Sequence, residues 1–136
     1  QPMLSKPTDS ELEILHILWE QGASTVRTVN DLLNEQRRSS QAAKPKESAG
    51  YTTTLKLMQI MFEKGLVTRV EEGRTHAYTA TVLESDTQDL LLQQFVDNAF
   101  KGSTARLVMQ ALGNHEASSE ELDEIKALIA KIEQGK

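Results

Sequence analysis

The stretch YTTTLKLMQIMFEKGLVTRVEEGRTHAY, residues 51–78, decides how this chain reads. Leu55, Met58, Met61 and Phe62 recur at helical spacing, with Leu57 and Ile60 flanking them, and predict a helix over about 52–64. Gly65 stops it as a left-handed C-cap. Two strand-like runs follow at once, 66–71 and 74–80, joined across Glu72-Gly73 as a tight hairpin. The helix opens on Tyr51, Thr52 and Thr53 and carries Lys56 one turn on, and the hairpin carries Arg69, Arg74 and His76. Hydroxyls and a lysine at a helix N-terminus suit a phosphate or a base edge, since free N–H groups and the macrodipole favour anions there. A basic hairpin beside it suits the phosphate backbone.

Upstream, Thr8 and Glu11 form a capping box before Leu12, Leu15, Leu18 and Trp19. Gly22 ends that first helix. Ser24 or Thr25 caps a second, with Val26, Val29, Leu32 and Leu33 on one face. A short strand near residues 22–24 has the hairpin as a pairing partner. The order helix, helix, helix, strand, strand is that of a winged helix-turn-helix. Residues 36–50, QRRSSQAAKPKESAG, lack apolar periodicity and read as a flexible basic loop. Its bases Arg37, Arg38, Lys44 and Lys46 form either a mobile arm adding nonspecific DNA affinity or an insertion without function.

Downstream the chain is helical. Ser85 with Gln88 and Ser118 with Glu121 read as capping boxes, and Gly102-Ser103 as a break and restart. Leu91, Phe95, Phe100, Leu107, Leu112, Leu122, Ile125, Leu128, Ile129 and Ile132 supply apolar faces. Three short helices in about 50 residues make a poor core alone, so these faces are expected to pack on a second copy of the chain. The expected organisation is a winged-helix DNA-binding domain over 1–82 and a helical dimerisation domain over 83–136. The fold class is mainly α with a small β-wing.

The net charge of −5 argues at first against nucleic acid, but its distribution reverses that. Residues 37–82 hold eight bases against four acids, a net of +4, while both flanks are acidic. Screening over about 8–10 Å keeps such a patch locally effective. Aromatics are only 4% of the chain, so the core is aliphatic. There is no cysteine, which removes disulfides, thiolate catalysis and cysteine metal sites. His16, His76 and His115 are far apart, and no catalytic or phosphate-loop motif occurs, so neither an enzyme nor a metal or cofactor is expected. No run of about 18 apolar residues suggests a membrane span, and no signal pattern opens the chain, so the expected location is the cytoplasm. Tyr51 and Tyr78 suit either a phosphate contact or packing, and Trp19 reads as core.

An ordered set of residues then resembles one family, the penicillinase repressors of bacteria. The set runs from LSKPTDSELEILHILWEQG through Thr25-Val26, Tyr51-Thr52-Thr53 with Leu55, and Lys64-Gly65-Leu66. It continues with Gly73-Arg74-Thr75-His76-Ala77-Tyr78, Phe100-Lys101-Gly102-Ser103 and Glu121-Leu122. The resemblance implies a homodimeric repressor that binds a palindromic operator of double-stranded DNA, with Tyr51, Thr52, Thr53 and Lys56 on the reading helix and Arg74 on the wing. It also implies release through a sensor or protease that cuts within the C-terminal helices. The bond cleaved in beta-lactam-responsive members joins Asn to Phe, where this chain has Gln110 and Ala111. The paired cysteines of copper-responsive members are absent. The competing reading from another class is a winged-helix protein-interaction module that does not touch DNA.

Overall fold

The computed structural model describes residues 6–41 and 46–135. The elements run α1 (Asp9–Gln21), β1 (Ser24–Thr25), α2 (Val26–Ser39), α3 (Tyr51–Lys64), β2 (Val67–Glu72), β3 (Thr75–Ala80), α4 (Glu84–Phe100), α5 (Thr104–Asn114) and α6 (Ser119–Gln134). The chain divides into two compact units, the first ending at Leu91 and the second beginning at Leu92.

In the first unit, the Thr8 side chain accepts from the Glu11 N–H and the Glu11 carboxylate accepts from the Thr8 N–H, closing a capping box. The same Glu11 Oε1 receives Lys64 Nζ at 2.6 Å. One carboxylate thus caps the start of α1 and ties it to the end of α3. Thr25, not Ser24, caps α2, accepting from the Thr28 N–H at 3.2 Å. Gly65 ends α3 at φ 83°, a conformation that favours glycine, and donates back to Met61 and Phe62.

The three helices and the sheet close one aliphatic core. Ile14, Leu15, Val29, Leu33, Met58 and Met61 are fully buried within it, each apolar side chain contributing about 1.5–3 kcal/mol by leaving water. Trp19 packs on its edge and donates Nε1–H to the Val82 carbonyl at 2.9 Å. The sheet is antiparallel in the order β1-β3-β2, with Ser24 opposite Tyr78 and Val67 opposite Ala80.

Several local expectations shift. α2 runs on to Ser39, so residues 36–39 are helix rather than loop. The hairpin turn is Gly73-Arg74, one residue later than expected, because Glu72 pairs with Thr75. Arg74 therefore sits at the tip and not in a strand. Phe62 is exposed at 37%, and the inner face of α3 is Thr54, Met58 and Met61, spaced four and three apart. Tyr78 is core at 1% exposure. Ser85 cannot be an N-cap, since α4 begins one residue before it.

Within the second unit, Gly102 turns the chain at φ 83° and Ser103 caps α5, accepting from the Arg106 N–H at 3.2 Å. Ser118 and Glu121 form the capping box of α6. Neither α5 nor α6 contains a buried residue.

Candidate nucleic-acid interface

With Thr54, Met58 and Met61 turned inward, the helical period leaves Thr52, Thr53, Lys56 and Gln59 exposed on the outer side of α3. Thr52, Thr53 and Lys56 share a patch of surface with Leu57 and Ile60. None of the threonines caps the helix, whose N-cap is Gly50 with no side-chain hydrogen bond. Threonine hydroxyls and a lysine thus stand at the electropositive end of a helix.

A cleft of about 400 Å³ opens beside this end. Tyr51, Arg74 and His76 line it, together with Arg27 and Thr25 from the start of α2. The structure thereby brings Tyr51 of the helix together with Arg74 and His76 of the hairpin. Arg27 is the addition. Its guanidinium lies 5.5 Å from the centroid of the half-exposed Tyr51 ring, a distance at which a cation and an aromatic face attract. A lone base in an acidic segment carries no periodic signal, so nothing in the sequence singles it out. Gly73 holds φ 62° at the first position of the two-residue turn and sets Arg74 at the exposed tip.

Arg69 stands apart from that cleft. It pairs across the ladder with Tyr78, and its guanidinium stacks over the Phe62 ring at 4.0 Å. His76 is half-buried, its ring edge-on to Tyr78.

The four basic residues of the connection behave differently from one another. Arg37 forks onto Glu13, with Nη2 at 2.8 Å from Oε1 and Nε at 3.3 Å from Oε2. Lys46 Nζ reaches the same carboxylate at 3.1 Å and the Ser10 hydroxyl at 3.2 Å. Burial alone would raise the Glu13 pKa, but the hydrogen bonds and charges of Arg37 and Lys46 outweigh it and hold the carboxyl below its ordinary value. Arg38 is exposed, and Lys44 lies outside the described residues. Two of the four arm cations are therefore engaged on α1.

The faces assigned to self-association are largely open. Phe95, Leu112, Leu122, Leu128, Ile129 and Ile132 are exposed, while Leu91, Phe100, Leu107 and Ile125 are partly covered. Gln110 and Ala111 fall inside α5. Among the described residues no helix is long and apolar enough to cross a membrane.

The pattern of the penicillinase repressor family matches residues 7–131. The chain belongs to the penicillinase repressor family. It is one of transcriptional repressors with a DNA-binding winged helix, not of enzymes. Among its relatives, the penicillinase repressor of Bacillus licheniformis is 26% identical over 122 residues, covering 90% of this chain and 88% of that protein. The methicillin resistance regulatory protein MecI of Mammaliicoccus sciuri is 23% identical over 124 residues, covering 91% and 93%. Among solved structures, the complex structure of hsRosR-S1 matches with a TM-score of 0.53 at 18% identity, over 95% of this chain and 94% of that one. At that identity the likeness speaks for the fold alone.

Proposed function

We propose that this repressor acts as a homodimer on a palindromic operator, each copy placing the N-terminal end of α3 in a major groove. The observation that carries the reading is the exposure of Thr52, Thr53 and Lys56 at the open N-terminus of α3, whose first residue Tyr51 lines one cleft with the wing-tip Arg74. Directional hydroxyls suit base edges and the threonine methyls suit thymine, while Arg74, Arg27 and Tyr51 around the cleft suit phosphates. Arg69 and His76 contribute less, because one is stacked on Phe62 and the other is half-buried. DNA binding belongs to residues 1–82 and self-association to 83–136, where the apolar stripes of α5 and α6 need a second surface. Two copies would address half-sites about one helical turn apart, or a small multiple of it. Such a protein works where the DNA is, in the bacterial cytoplasm. A sensor or protease acting on the C-terminal helices is the route of release the family suggests, although Gln110-Ala111 is not the family's cleaved pair.

The test is binding to duplexes from the gene's own promoter region, followed by polarisation as salt is raised. Lys56→Ala and Arg74→Ala should each weaken binding and lower the slope of log affinity against log salt by about 0.9 for every phosphate no longer neutralised. Unchanged slopes in both variants would remove these residues from the interface. A wild-type chain with no salt-sensitive binding to any duplex would favour the protein-interaction module instead.

A further inference from the structure

Helix α3 begins without a cap of its own. Gly50 is extended there, at φ −76° and ψ 163°, and has no side chain to accept from the first turn. Uncapped first-turn N–H groups leave a helix end free to fray. What restrains this end comes from α2.

Asn30, Asn34 and Arg37 are spaced four and three apart and so stand in one row along α2. Asn30 Nδ2 donates to the Thr54 hydroxyl at 2.7 Å and to the carbonyls of Ala49 and Gly50 at 3.0 and 3.3 Å. Asn34 takes the Ala49 peptide from both sides. Its Nδ2 donates to the Ala49 carbonyl at 2.8 Å, and its Oδ1 accepts from the Ala49 N–H at 2.7 Å. Arg37 Nη1 donates to the Glu47 carbonyl at 2.9 Å. The row thus grips the backbone at 47, 49 and 50 and, through a fully buried hydroxyl, the first turn of α3.

We propose that Asn30 is a positioning residue for DNA recognition, setting the register at which Tyr51, Thr52, Thr53 and Lys56 are presented without touching DNA itself. The inference rests on α3 being the DNA-reading helix. Those four side chains follow directly on the gripped backbone, so a shift at Ala49-Gly50 moves them together. Base contacts are directional and suffer greatly from such a shift, whereas phosphate attraction tolerates it. Losing the grip should therefore reduce discrimination more than general affinity.

The experiment uses the full chain, with one duplex that the wild type selects from a random-sequence library and one scrambled duplex of equal length. Asn30→Ala and the pair Asn30→Ala with Thr54→Val are compared with Asn30→Gln, well below the melting temperature of each. The double variant removes both partners, so no buried hydroxyl is left unpaired. Both Ala variants should bind the selected duplex about tenfold more weakly, the scale of one base contact, and stay within about twofold on the scrambled one. Their salt slopes should not change, because the phosphates are neutralised as before. Asn30→Gln, which keeps the donor, should recover part of the discrimination. Equal weakening on both duplexes, a changed salt slope or unchanged discrimination would each overturn the positioning role. A wild type that selects no duplex at all would instead overturn the DNA reading on which the role depends.

Discussion

The helices of the first unit and those of the second are similar as sequences and opposite as surfaces. α1 has Ile14, Leu15, Ile17 and Leu18 all but inaccessible, because α2, α3 and the sheet close over them. α6 carries Leu122, Leu128, Ile129 and Ile132 at an equally regular spacing, and every one is exposed. Both begin with a capping box of the same chemistry. An amphipathic stripe states that a face needs covering and says nothing of what covers it. The first unit supplies its own cover, whereas the stripes of α5 and α6 stand open.

The sharpest way to break this comparison is to truncate both stripes. Leu33→Ala or Met61→Ala should cost about 2–5 kcal/mol of unfolding free energy, as a fully packed site leaves a cavity. Leu128→Ala should change the melting of the first unit by no more than about 0.5 kcal/mol. Equal effects in denaturant titrations would mean that α6 belongs to the same folding core. Next in size is the effect on assembly. If the proposed dimer forms through this stripe, Leu128→Glu with Ile129→Glu should convert it to monomer and lower operator affinity by about 100-fold or more, since linked half-site binding disappears. A double variant that still sediments as a dimer would move the interface elsewhere.

The tie between Glu11 and Lys64 tests how the first unit holds α3. Glu11 is 3% exposed at the side chain and Lys64 28%. Lys64→Ala should cost about 2 kcal/mol, below the ~3–5 kcal/mol of a fully buried pair because the lysine retains some water. No change in a denaturant titration would show that the Thr8 N–H alone satisfies Glu11.

The smallest effect is at Glu13, where Arg37 and Lys46 meet. Its folded pKa is lowered, so the stabilisation is full above the ordinary glutamate value near 4.5 and is lost as pH falls through the lower folded value. Glu13→Gln should flatten the acid limb of stability against pH, by less than about 1 kcal/mol because the site is partly exposed. An unchanged acid limb would mean that the two cations contribute nothing to folding there.

What was legible before the structure was whatever a few consecutive residues decide among themselves. Thr8 with Glu11 and Ser118 with Glu121 cap as read, because a box closes within one turn. Gly22 and Gly65 end their helices, because each needs a positive φ. The hairpin forms where a glycine turn separates two strand-like runs, although its turn falls one residue later, and its pairing to Ser24–Thr25 joins residues far apart in the chain. For the candidate site, the exposure of Thr52, Thr53, Lys56 and Arg74 was legible, whereas the place of Arg27 in one cleft with Tyr51 and Arg74 was not.

The sequence by itself determined the order of elements, some of their ends and the family, since periodicity, caps and ordered motifs are properties of neighbours along the chain. Only the tertiary structure decided that Tyr78 and Thr54 are core, that Phe62 is left out under Arg69, and that Arg37 and Lys46 are held on Glu13. These depend on which residues from distant segments arrive at the same place, and a side chain's own chemistry does not contain that information. Arg37 shows the reason plainly: beside Arg38 in the sequence it reads as one more loop cation, and 24 positions away is the carboxylate that gives it a fixed place.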